Sequence, residues 1–313
     1  MNVVAWGGYT RLSAMRILGT IFAGLFGLVF GSFLNVCLSR WPEGESVVKP
    51  RSRCRTCGRT LTWWENVPVI SWLALRGRCR TCGAWIGARY VLVELAVGAL
   101  WAHTAWNFLG FATDPDIPAI SPFLHWNLYN SLGRMLAWWI FDWLIVALAV
   151  LDAEHFWLPD WFTISGIILG FVSEVIYESV GNRYSDAPAP FQQTAFTVAI
   201  QCAIGIVIAA ALVLLIRWLY WLIRRKEGLG LGDAKLMAML AAWLGLPGAL
   251  LALFIGVVIG AGMAVTMLLM PKRNEEAWAT RKLPLGTFLC VGGIVSSLWG
   301  QPIIDAYLHW AGF

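Results

Sequence analysis

Two carboxylates in this chain stand at the edges of apolar runs, where an ionisable side chain is costly and tends to mark function. Asp152 lies in Leu151-Asp152-Ala153-Glu154-His155-Phe156-Trp157-Leu158-Pro159-Asp160, and Asp233 in Gly230-Leu231-Gly232-Asp233-Ala234-Lys235-Leu236. Two such groups from distant segments can share one water molecule. One, ionised, takes its proton; the other, protonated, donates to a carbonyl oxygen. Like charges a few Å apart resist double ionisation, so the pair divides the two roles by itself. Gly228, Gly230 and Gly232 alternate ahead of Asp233 and let a substrate backbone approach closely. The pattern points to an aspartyl protease built into a membrane. The competing reading of Asp233 is a cap on the helix that follows. Near Asp152, Glu154 and His155 are alternative ionisable groups. Pro159-Asp160 reads as a helix start, with Asp160 near its N-cap. Asp142 sits deeper in its apolar run, as a relay or as the partner of a buried donor.

A second constellation is made of cysteines. Cys54/Cys57 and Cys79/Cys82 are two C-x2-C pairs inside an exact repeat, Arg53-Cys54-Arg55-Thr56-Cys57-Gly58 and Arg78-Cys79-Arg80-Thr81-Cys82-Gly83. Four thiolates at this spacing suit a closed, structural zinc site, with iron as the next candidate and redox chemistry or disulfides as the remainder. The following Gly58 and Gly83 can take a positive φ where the chain turns back. Cys37, Cys202 and Cys290 stand alone in or beside apolar runs and read as packing residues.

The elements that must hold these groups are apolar helices. The chain of 313 residues is 59% hydrophobic and 13% charged, with 20 tryptophans and a net charge of +5. Soluble domains carry about twice that charged fraction. The composition is that of an all-α polytopic membrane protein with aromatic belts. Uncharged runs predict about eight transmembrane helices: 17–39, 90–109, 135–151 (entered from about 124), one beginning at 161–173, 194–216, two within 236–270 separated at Leu244-Gly245-Leu246-Pro247-Gly248, and 283–299. The first span is expected to be retained, because no cleavable leader precedes it.

Basic residues set the orientation. Residues 40–89 hold ten Lys and Arg against three Glu, while 217–226 and 272–282 hold four basic residues each. Residues 110–132 hold two Asp and no Lys or Arg. Eight spans put all three basic loops on one side, expected to be the cytoplasm, together with Asp152, Asp233 and the cysteines. A cytoplasmic, reducing location argues against disulfides. Three parts follow: a first span (1–39), a small cytoplasmic zinc-ribbon-like domain (40–89) and a transmembrane peptidase domain (90–313). The positive charge is confined to these loops and calls for no nucleic acid; the surroundings are the lipid bilayer. No H-E-x-x-H, G-x-S-x-G or phosphate-binding loop occurs. A proton-coupled transporter using Asp142, Asp152 and Asp233 as a relay is the alternative, without a repeat of whole helix sets to support it. A membrane scaffold with a zinc-ribbon docking module would leave the aspartates unexplained.

The chain resembles the type IV prepilin leader peptidases, Gly-x-Gly-Asp aspartyl proteases of bacterial membranes. The resemblance runs through Gly31-Ser32-Phe33-Leu34-Asn35-Val36 and Arg40-Trp41-Pro42, then Trp64-Glu65-Asn66-Val67-Pro68-Val69-Ile70-Ser71-Trp72 between the cysteine pairs, then Tyr90, Val93 and Glu94. It continues through Asp152, Leu158-Pro159-Asp160 and Gly230 to Leu236. It ends at Leu283-Pro284-Leu285-Gly286-Thr287-Phe288, which departs from the family's segment at Leu285 and Thr287. The loops 110–134 and 177–193 are longer than this resemblance leads one to expect. It implies that Asp152 and Asp233 are the catalytic pair, acting at the cytoplasmic face of the inner membrane. The implied substrates are type IV prepilins or type II secretion pseudopilins, cleaved of a basic leader. The cysteine domain further implies methylation of the new N-terminus with S-adenosylmethionine.

Overall fold

The computed structural model describes residues 3–112, 122–183, 194–226, 230–269 and 283–312. Its elements are α1 (Val3–Arg40), α2 (Ile70–Ala74), α3 (Arg89–Ala112), α4 (Pro122–His155), α5 (Asp160–Arg183), α6 (Ala195–Arg224), α7 (Leu231–Leu269) and α8 (Leu285–Ala311). A single 3-10 turn, Trp63–Asn66, precedes α2. Six of these helices are long and apolar enough to cross a membrane, namely α1 and α4 to α8.

The difference between six and the eight expected spans has two physical sources. The 39 residues of α7 would run about 58 Å as a straight rod, nearly twice the ~30 Å of a hydrocarbon core. The helix breaks at Gly245, whose φ of 68° and ψ of 171° are not helical, two residues before Pro247. This is the predicted separation of the sixth and seventh spans. The predicted second span is α3, whose 24 residues are long enough but whose hydropathy is diluted by Glu94, His103, Asn107 and its tryptophans. Large apolar side chains along α6, among them Phe196, Ile204, Val207 and Leu215, stay exposed to the surroundings. That is the expected face of a helix solvated by lipid rather than water. The glycine Gly228 ahead of the Asp233 motif, most of the two long loops, and the basic segment 272–282 lie outside the described residues.

The chain divides into two compact units, residues 1–146 and 147–313. In the first, α1 packs along α3 through small residues. A Cβ on Gly27 or Gly31 would come within 2.9 Å of Gly98 Cα and 2.7 Å of Glu94 Cα, so the two backbones meet directly. Trp101 and Trp139 stack with centroids 4.5 Å apart and exchange indole N–H bonds to each other's carbonyls, tying α3 to the middle of α4. In the second unit, α5, α6 and α8 pack around α7. The first half of α7, from Leu236 to Ala242, is almost wholly buried.

Candidate active site and metal centre

The cysteine loop is two copies of one turn in structure as in sequence. Cys54 N–H bonds the Arg59 carbonyl (2.9 Å), and Gly58 N–H bonds the Cys54 carbonyl (2.9 Å). In the second copy Cys79 N–H bonds Ala84 (2.8 Å), and Gly83 N–H bonds Cys79 (2.9 Å). An isolated antiparallel bridge closes each copy, Arg53 to Thr60 and Arg78 to Trp85. Gly58 and Gly83 take φ of +71° and +69°, the left-handed region that glycine enters without steric cost.

The two turns bring the sulfurs of Cys54, Cys57, Cys79 and Cys82 within 4.8 Å of one another. Cys54 and Cys82 Sγ are 3.8 Å apart. A tetrahedral zinc with ~2.3 Å bonds to sulfur has edges of about 3.8 Å, so the donor set fits such an ion in number, type and spacing. The crowding also divides the thiols electrostatically. N–H groups of Cys82 and Thr81 pull Cys79 down to about 6. At Cys82 the Ala84 N–H favours the thiolate, but burial and the neighbouring sulfurs outweigh it and push the thiol up to about 11. Four sulfurs this close cannot all be thiolates without a cation among them.

Glu65 braces the loop. It accepts from the Arg59 guanidinium at 2.6 Å, and from Thr62 N–H and Oγ at 2.8 and 2.7 Å. These bonds, led by the Arg59 one, hold its carboxyl at about 2. At Val69 the chain takes φ 59° and ψ −51°, a costly conformation for a β-branched residue. Its N–H is caught at 2.7 Å by Glu94 Oε2 on α3.

The two aspartates sit in the second unit, each tied to the start of a helix. Asp152 Oδ2 accepts from Thr287 N–H at 2.6 Å and Thr287 Oγ1 at 3.2 Å, in the first turn of α8. Asp233 is the third residue of α7, and its Oδ2 reaches back to Gly230 N–H at 3.0 Å. That bond is half of a capping box, so the capping role weighed from the sequence is present. Both carboxylates therefore face orphan amides and the positive end of a helix dipole.

Leu158 joins the two positions. Its side chain would meet a Cβ on Gly232 at 3.1 Å and one on Gly286 at 3.0 Å, so it is wedged between the residues preceding Asp233 and Thr287. A Cβ on Gly286 would itself lie 2.8 Å from Asp152 Oδ2. Asp152 and Asp233 are both buried, and the charge of Asp152 acts on Asp233. Asp160 begins α5, as expected, and its Oδ1 pairs with Lys235 Nζ at 2.5 Å in an exposed bridge.

Asp142 belongs to the first unit. It is 2% exposed and accepts a 2.9 Å bond from Thr104 Oγ1, so it has found a buried donor. It lies ten residues before Asp152 on α4, about 15 Å along a helix. Cys37 and Cys290 are buried in packing positions.

The chain is similar over nearly its whole length to three curated bacterial proteins named prepilin leader peptidase/N-methyltransferase. It is 33% identical over 310 residues to that of Stutzerimonas stutzeri, covering 92% of this chain and 93% of the relative. It is 33% identical to that of Pseudomonas aeruginosa, with the same coverage, and 32% identical to that of Dichelobacter nodosus, covering 91% and 93%. Residues 139–265 match the Type IV leader peptidase family, and residues 25–108 match the Bacterial Peptidase A24 N-terminal domain. The chain belongs to the Type IV leader peptidase family. No solved structure matches it.

Within this leader peptidase family member, Asp152, Leu158, Gly232 and Asp233 all fall in the segment that matches the peptidase family. Thr287 falls outside it. Sequence reasoning saw Thr287 only as a departure from a motif; a hydroxyl in the first turn of the last span was the available signal. The bonds of Glu65 and Glu94 were likewise missed, although both residues belong to quoted segments.

Proposed function

We propose that the protein is a membrane aspartic endopeptidase that removes the leader of type IV prepilins or type II secretion pseudopilins, with Asp152 and Asp233 as its catalytic pair. The observation that carries this reading is the placing of both carboxylates at helix N-termini on either side of the Leu158 wedge. Water held between them loses a proton to the ionised carboxylate and attacks the scissile carbonyl carbon. The protonated carboxyl donates to the carbonyl oxygen. When the tetrahedral intermediate collapses, the C–N bond breaks and the leaving amine takes a proton, so the balance is one water added. The amides and hydroxyl that bond one oxygen of each carboxylate orient the other oxygen toward the shared water.

The second half of the proposed activity is N-methylation of the freed amine with S-adenosylmethionine. That donor supplies a methyl group on a sulfonium. The amine lone pair forms the N–C bond while the S–C bond breaks, leaving a neutral thioether and one proton for the solvent. Cys54, Cys57, Cys79 and Cys82 would hold one structural zinc, keeping residues 40–89 as a unit between the first span and the peptidase domain of residues 90–313. The basic character of residues 40–89 supports a cytoplasmic location for this loop and for the aspartates, in the bacterial inner membrane. Reporter fusions at Gly58 and Arg273 should then give a cytoplasmic signal, and fusions at Asp114 and Asp186 a periplasmic one. A periplasmic signal at Gly58 inverts the topology.

The deciding experiment incubates purified protein with a prepilin in detergent, with and without labelled S-adenosylmethionine. Leader loss and methyl transfer are followed together. Cleavage without methylation removes the second activity; no cleavage removes the first.

A further inference from the structure

The first unit encloses a cavity of about 630 Å³ between the last turns of α1, the cysteine turns, the segment around Trp72 and the first turn of α3. That is the size of pocket that takes a ligand of drug-like dimensions, for which about 300–1,000 Å³ is usual. Two polar atoms in its lining have no hydrogen-bond partner. Asn35 is 3% exposed; its Nδ2 donates to the Tyr90 carbonyl at 2.8 Å, but its Oδ1 is buried and unpaired. The guanidinium of Arg59 is engaged by Glu65 at its Nη2, but its Nε is buried and unpaired. Buried polar atoms are ordinarily paired, and an acceptor and a donor left open in one cavity wall point to a ligand that pairs them.

The rest of the lining states what that ligand must carry. Glu94 is buried in the wall, with one oxygen engaged by Val69 N–H. It places a carboxylate beside the Asn35 acceptor on the neighbouring helix and suits a cationic group. The Arg59 Nε–H suits a carboxylate. Trp72 and Trp85 meet edge to face, with centroids 5.9 Å apart, and offer aromatic surface at the cavity edge. A small molecule with a flat heteroaromatic ring, a cation and a carboxylate satisfies all three.

We propose that this cavity is the binding site for S-adenosylmethionine, with Asn35, Arg59 and Glu94 as its polar contacts. The assignment rests on the methyl-transfer reading above. A basic leader peptide fits the wall less well, because Arg40 and Arg59 line it along with the carboxylates. The strained Val69, clamped by Glu94, belongs to the same wall and holds the loop over the cavity.

The test measures equilibrium binding of labelled S-adenosylmethionine and of S-adenosylhomocysteine, which lacks the sulfonium charge, to the full chain in detergent. Wild type is compared with Asn35→Leu and Glu94→Gln, and the metal content of each preparation reports whether the loop is folded. Asn35→Leu should weaken both ligands about tenfold, the cost of one lost buried hydrogen bond. Glu94→Gln keeps an acceptor for Val69 and should weaken S-adenosylmethionine while leaving S-adenosylhomocysteine within a factor of about two. Should Asn35→Leu lose its metal, the Glu94→Gln ratio decides alone. Wild-type affinity for both ligands in a metal-loaded Glu94→Gln protein overturns the site but leaves the methyl-transfer reading standing. No binding by wild type overturns that reading and the site with it. Unchanged ligand affinity together with a raised KM for leader cleavage would assign the cavity to the peptide instead.

Discussion

The four sulfurs come from one short loop folded by two copies of a single turn, whereas the two carboxylates come from α4 and α7 and need α8 to hold one of them. In the cysteine loop nearly all the positioning is local: backbone bonds within each copy, a glycine with positive φ, and a metal to join the copies. In the carboxylate site almost nothing is local. Asp152 takes its bonds from Thr287, and only the Leu158 wedge brings Gly232 and Gly286 to the same place. A site of the first kind depends on its ion, and a site of the second kind depends on helix packing. Disturbing either should leave the other largely intact.

The largest expected effect is at the aspartates. Asp152→Asn and Asp233→Asn should each lower leader cleavage by about 10²–10⁴-fold, the range typical of general acid–base groups. Zinc content should stay at wild-type level. Cleavage by Asp233→Asn at the wild-type rate would end the aspartyl protease assignment, and loss of zinc in either variant would break the independence of the two regions. Next comes Cys57→Ser combined with Cys82→Ser. This protein should contain no zinc by elemental analysis and should methylate far more weakly than it cleaves. Equal loss of both activities in a folded protein would mean that the loop also positions the peptide.

A smaller effect is expected at Thr287. Thr287→Val removes the hydroxyl but keeps the 2.6 Å bond from the backbone N–H. Loss of the 3.2 Å hydroxyl bond should lower kcat several-fold, on the scale of one ordinary hydrogen bond, with KM little changed. Restoration of the rate by Thr287→Ser would assign the effect to the hydroxyl; a Ser variant as slow as Val would assign it to packing. The smallest effect is an acid sensitivity. Because the folded Glu65 carboxyl is held near 2, below its ordinary ~4.5, its contribution to stability is complete above about pH 4.5 and is lost as pH falls toward 2. Amide exchange across residues 51–66 should therefore quicken over that interval in wild type. In Glu65→Gln it should already be faster at neutral pH, with a flatter acid dependence. Identical profiles would remove Glu65 as the brace of the loop.

Much of this molecule is legible from residue order alone, and the division again follows locality. The eight apolar segments, the break at Gly245, the start of α5 at Asp160 and the cysteine cluster all depend on short windows of sequence. Thr287 could not be linked to Asp152 from sequence, because helix periodicity says nothing about which helix ends meet. Nor could the open Oδ1 of Asn35 be foreseen, since that requires knowing that Tyr90 takes the amide's other end. The same limit applied to Asp142, whose reading as the partner of a buried donor holds only because α3 presents Thr104 to it.

The seam between α7 and α8 constrains how a membrane-borne substrate can arrive. A Cβ on Gly292 would lie 2.1 Å from the Ala252 carbonyl oxygen, and one on Gly256 would lie 3.0 Å from that of Phe288. The two backbones are in contact there, with no space for even a methyl group. An apolar peptide segment diffusing in the plane of the bilayer cannot part these helices without breaking that contact, and the same contact sets the register that delivers Thr287 to Asp152. This seam is therefore a fixed wall, and lateral entry from the lipid to the aspartates has to avoid it.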